Sequence, residues 1–217
     1  MNGPTRTAGQ RPRRHHRAKL ILASAAIGIA SLFVTTAPSL AAGKFDMGEF
    51  DRDVFFFGGA FENQDFGHAF NPFGDNYNGD WEVGGGYQQF FARWGGFRLG
   101  GEAGAALRFS NSMSAEVWGG VVGRYDGLAI GPLHISPAFT AGFSAVSGYI
   151  SSEANQIPAL GRGVPLLYFL GPEINFSLDQ YPNVEAFWRI QHRSGGYGSI
   201  AKIDAANADV VGLRFKF

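Results

Sequence analysis

A histidine and a serine two residues apart, His192 and Ser194, form the pair in this chain best suited to chemistry. Side chains alternate across a β-strand, so on a strand the two share a face. There the imidazole can take the hydroxyl proton and leave an activated oxygen nucleophile, the arrangement of a serine esterase acting on a lipid ester. The triplet alone is common, and its bland reading is a histidine at a lipid–water interface beside a loop serine. Its surroundings give it weight. Over Val184–Tyr197 the pair falls on the face of Val184, Ala186, Trp188 and Ile190, whereas Glu185, Arg189, Gln191 and Arg193 take the other. A histidine on the apolar face loses hydration and gains no stability, which makes it a functional candidate. Of the other histidines after residue 41, His68 falls in a long loop and His134 in a turn.

The elements that must position this pair are strands. In Phe97–Ser110 the residues Phe97, Leu99, Leu107 and Phe109 alternate with Arg98, Glu102 and Arg108. The same period of two runs through Asp53–Phe61, Trp81–Phe91, Ser114–Tyr125, Ile135–Ala145, Leu166–Leu178 and Asn207–Phe217, which with Val184–Tyr197 makes eight strands. After residue 41 no segment approaches the apolar length of a membrane helix. Eight amphipathic strands fit either a soluble β-sandwich or a closed antiparallel barrel.

Residues 1–41 favour export. A basic stretch to Lys19 is followed by the apolar run Leu20–Val34 and then by small residues Ser39 and Ala41, the pattern of a cleaved signal peptide. The run is too short for a membrane anchor. We expect cleavage after Ala41 or Ala42 by the general secretory route, with 42–217 as a single β-barrel domain. Six of the 18 basic residues precede residue 42 and none of the 18 acidic ones does, so the remainder is acidic, which argues against nucleic acid as a partner. With no cysteine, disulfides, thiolate metal sites, a thiol nucleophile and a lipidated N-terminus are excluded. The first loop holds Asp75 and Asp80, but their spacing does not match a calcium-binding loop, and neither a metal nor a cofactor is implied.

The last strand chooses between sandwich and barrel. Val211, Leu213, Phe215 and Phe217 alternate with Gly212, Arg214 and Lys216, an ending that resembles the assembly signal of bacterial outer-membrane barrels. A transmembrane barrel wants an apolar lipid face and aromatic girdles, and at eight strands its interior is filled by side chains. We therefore expect an all-β, eight-stranded antiparallel transmembrane β-barrel in the Gram-negative outer membrane, folded with the barrel assembly machinery. The short connections, Trp94-Gly95-Gly96 and Asp179–Asn183, would lie at one rim, and the long ones, Glu62–Asp80 and Gly148–Val164, at the other. The connection Asp126–His134 is longer than this rule prefers.

His192-Arg193-Ser194-Gly195-Gly196-Tyr197-Gly198, with Asn207 and the terminal strand, resembles the lipid A 3-O-deacylases, often labelled acyloxyacyl hydrolases. The resemblance implies removal of the ester-linked acyl chain at position 3 of lipid A by serine, histidine and an acidic residue on the barrel's outer surface. Ser194 would be the nucleophile and His192 the general base, with lipopolysaccharide as substrate and a homodimer left open. The family's glutamate on the last strand corresponds here to Asn207. Asn207 and Asp209 share the outward face, and a carboxylate is the stronger partner for an imidazolium, so Asp209 is expected to orient His192 ahead of Asn207, with Asp204 a third candidate. The family often has asparagine after the serine, whereas this chain has Gly195. An oxyanion hole would therefore use backbone N–H groups of Gly195 and Gly196. The rival expectation is a small non-enzymatic barrel that binds a partner, or stiffens the membrane, through its outer loops.

Overall fold

The computed structural model describes residues 50–63, 66–67, 69–73, 77–203 and 206–217. The expected signal peptide, His68, Asp75 and Asp204 lie outside them. The strands among the described residues are β1 (Arg52–Glu62), β2 (Tyr77–Trp94), β3 (Phe97–Phe109), β4 (Met113–Tyr125), β5 (Leu128–Ile130), β6 (Leu133–Val146), β7 (Leu166–Leu178), β8 (Tyr181–Ser194) and β9 (Ala206–Lys216), with a helix, α1 (Ser151–Leu160), between β6 and β7. Every pairing is antiparallel. β1 pairs with β9 and β4 with β6, so eight strands close on themselves, while β5 is a short extension paired to the start of β6. That extension accounts for the connection that looked too long. The chain breaks at Asp126-Gly127, resumes as β5 and reverses tightly at Gly131-Pro132.

The early start of β6 corrects the reading of His134 as a turn residue. It lies in the strand, buried, with its Nε2 2.6 Å from Asp179 Oδ1. Other strand ends differ too, three of them near the site. β2 begins four residues earlier than alternation suggested, β1 includes Glu62, and β8 stops at Ser194 because Gly195–Gly198 turn away.

The two faces of the wall differ as the alternation requires. Outward side chains such as Phe56, Val117, Val121, Phe143, Val211 and Leu213 are half or more exposed, whereas Arg98, Glu102, Arg108, Arg124, Glu173, Glu185, Arg189 and Arg214 are buried in the lumen. Aromatic side chains collect at both rims, Trp94, Tyr125 and Tyr181 at one, Trp81 and Phe143 at the other. An apolar wall with aromatic girdles around a filled, charged interior makes this an integral outer-membrane β-barrel.

The lumen is held by shared charges. Arg189 reaches Glu102 with both terminal nitrogens at 2.7 and 2.9 Å and Glu173 at 2.6 Å, Glu173 also takes Arg214 at 2.8 Å, and Trp118 and Thr140 donate to Glu102. Aromatic rings fill the rest, with the Arg189 guanidinium over Phe55 at 4.8 Å. At the upper rim α1 sends the fully buried Glu153 down to Arg108 and Arg193, so the helix stoppers the barrel. Because a charge left alone in such an interior is costly, Glu102→Ala should destabilise the barrel by roughly 3–5 kcal/mol. The lipid-facing Val121→Ala should cost far less. Both are read from the temperature at which the unheated, fast-migrating gel band disappears.

Candidate active site

The outward face of the wall changes character near the upper ends of three neighbouring strands. Lower down it is open to lipid, with Phe56 62 % and Val211 64 % exposed, yet Ile190, His192, Asn207, Asp209 and Glu62 on the same faces are all buried. The cover includes Phe66, from the connection between β1 and β2, whose ring lies 4.1 Å from the His192 ring. Parity thus places His192 outward as expected, but it is roofed rather than bare to lipid.

Register decides which residues meet. β8 and β9 pair His192 with Asn207 and Ile190 with Asp209. β9 and β1 in turn pair Asn207 with Glu62, and β1 and β2, after an irregularity between Ala60 and Glu62, pair Glu62 with Tyr77. One polar row therefore runs His192, Asn207, Glu62, Tyr77 across four strands. His192 Nδ1 is 2.7 Å from Asn207 Oδ1. An amide oxygen only accepts, so Nδ1 carries the proton and Nε2 presents its lone pair, the tautomer a base for a hydroxyl needs.

Asp209 sits one step lower and is engaged elsewhere, which corrects the expectation that it orients His192 ahead of Asn207. Trp188 Nε1 donates to its Oδ1 at 3.2 Å, and the Tyr77 hydroxyl donates to its Oδ2 at 3.1 Å. Alternation alone ends the first strand at Phe61 and so leaves Glu62 out of the site. The signal was nevertheless there, since Phe56, Gly58, Ala60 and Glu62 share a face and only the last is polar.

No family model matches the sequence, and no curated protein matches it either. Solved structures do resemble it. The outer membrane enzyme PagL is 14 % identical with a TM-score of 0.49, over 76 % of this chain and 99 % of that one. Neisserial surface protein A is 14 % identical at 0.46, over 77 % and 97 %. The N-terminal β-barrel domain of Pseudomonas aeruginosa OprF is 10 % identical at 0.45, over 76 % and 96 %. At these identities the likeness is one of fold.

Ser194, the last residue of β8, is half-buried on the same outward face as His192. The turn after it is built on glycine for reasons of space. A Cβ on Gly195 would lie 1.9 Å from the Ala201 carbonyl oxygen, and Gly196 has a left-handed φ of 60°. The Gly195 N–H donates to the Ile203 carbonyl at 3.1 Å, so the expectation that it lines an oxyanion hole is corrected. That proton closes the loop onto itself, and Gly196 alone of the two keeps the candidacy. Below the polar row an open apolar groove of about 420 Å³ runs between Phe176, Trp188, Val211 and Leu213, where Ala186 and Gly212 leave room.

Proposed function

We propose that the protein is an outer-membrane esterase that removes the ester-linked 3-O-acyl chain of lipid A, with Ser194 as nucleophile and His192 as general base. The observation that carries this reading is the 2.7 Å contact of His192 Nδ1 with Asn207 Oδ1, on the outward face that also bears Ser194. In the first step Ser194 Oγ attacks the ester carbonyl while His192 Nε2 takes its proton. The tetrahedral oxyanion collapses, the sugar oxygen leaves with the proton returned by His192, and the acyl chain stays on Ser194. Water, deprotonated by the same nitrogen, then releases the fatty acid. The apolar groove under the row suits an acyl chain entering from the lipid side.

The test is direct. Expression of the chain in a Gram-negative host, followed by mass spectrometry of its lipid A, is expected to reveal loss of one hydroxyacyl group. Unchanged lipid A in the presence of correctly folded barrel would favour the rival, a binding or structural barrel working through its upper loops.

A further inference from the structure

We infer that Glu62 is a positioning residue for His192, acting through Asn207 and supplying the acidic character that an amide partner lacks. The inference rests on the esterase reading above. A neutral Asn207 can fix the tautomer of His192, but it has no charge to set against the imidazolium formed during attack. Serine esterases commonly place a carboxylate there. In this chain the next residue along the same row is one.

Three observations converge on Glu62. It is the cross-strand partner of Asn207, as Asn207 is of His192, so the three side chains stand at one height on adjacent outward faces. It is only 2 % exposed, although Phe56 lower on that face is open. One of its oxygens, Oε2, is buried and has no hydrogen-bond partner among the described residues. A buried carboxyl oxygen without a donor costs free energy and persists where something else requires it. Asn207 Oδ1 is turned to His192, and Glu62 is the carboxylate across the strand pair from Asn207. A carboxylate there sits two strands from the imidazole in a site sheltered from water, where its charge would favour the protonated ring.

The experiment compares Glu62→Gln, Asn207→Glu, the double variant and Ser194→Ala, assayed on lipid A in mixed micelles, with unheated gels to confirm folding. Glu62→Gln is expected to lower kcat about tenfold with little change in KM, and to move the acidic limb of the kcat profile to lower pH, because the imidazolium loses its supporting charge. Among the described residues, the ionisable groups on the outward faces around His192 are Glu62 on β1, Tyr77 on β2, Tyr168 on β7 and Asp209 on β9. Of these, only Glu62 changes in that comparison. In the Asn207→Glu background, where a carboxylate meets His192 directly, Glu62→Gln is expected to cost less than twofold. A kcat and pH profile unchanged by Glu62→Gln, with Ser194→Ala inactive, would overturn the inference and leave the esterase reading standing. Equal losses in both backgrounds with a less heat-resistant barrel would reduce Glu62 to a structural role, which also overturns it. Should Asn207→Glu be inactive, the pH shift in Glu62→Gln alone decides. Activity retained in Ser194→Ala would instead remove the esterase reading itself.

Discussion

Ser194→Ala is expected to lower ester hydrolysis by on the order of 10³-fold or more while the barrel assembles and resists heat as the parent does. Ser194 carries the hydroxyl that shares the face of His192 two residues on, and an alanine methyl cannot form the acyl intermediate. The fold should not notice. Ser194 ends β8 on its outward face, away from the buried Arg–Glu network that holds the lumen, and its strand pairing to Tyr168 is made by backbone. His192→Ala should be nearly as damaging to turnover, with a modest cost in stability because the Phe66 ring loses the surface it covers. The two losses should not add, since nucleophile and base act as a unit. Measured by release of the hydroxy fatty acid from purified lipid A, a double variant no worse than either single one is the expected result. Turnover surviving in Ser194→Ala would exclude a serine mechanism at this site.

The eight strands were legible because the two faces of this wall differ so sharply in chemistry. A lumen of paired charges against a lipid-facing surface forces strict alternation, and segments such as Phe97–Phe109 write it plainly. Ends were less legible. β2 extends above the apolar belt through Tyr77–Asp80, where the outward residues no longer need to be greasy, and the Asp126-Gly127 break hides the continuation of β4 into β5. The outward placement of His192 and Ser194 needed only parity. Which of Asn207 and Asp209 meets the histidine needed register, and sliding β9 by two residues preserves every face while moving the partner by roughly 7 Å. Alternation is therefore blind to the choice, and the argument from charge alone picked the wrong neighbour. The Phe66 roof depends on how a loop folds back, which no periodicity records.

Asn207→Ala is accordingly expected to lower turnover on the order of 10²-fold, and Asp209→Ala by less than that, the reverse of the order that charge alone suggests. Losing the amide removes the acceptor 2.7 Å from His192 Nδ1, so the ring is free to rotate or to carry its proton on Nε2, where it cannot serve the serine. Losing Asp209 leaves that contact in place. It deprives Trp188 Nε1 and the Tyr77 hydroxyl of their acceptor, which should loosen the wall around the row more than it disables the base. The two variants should also differ in kind. Asn207→Ala should depress kcat with KM nearly unchanged, whereas Asp209→Ala, beside the apolar groove that Trp188 borders, should act more on KM. Asn207→Glu should retain activity, because a carboxylate at that position accepts from the same nitrogen and adds the charge that the amide lacks. If Asp209→Ala proved inactive while Asn207→Ala turned over normally, the histidine would take its orientation from the carboxyl one step down the strand, and the pairing of His192 with Asn207 would be structural rather than functional.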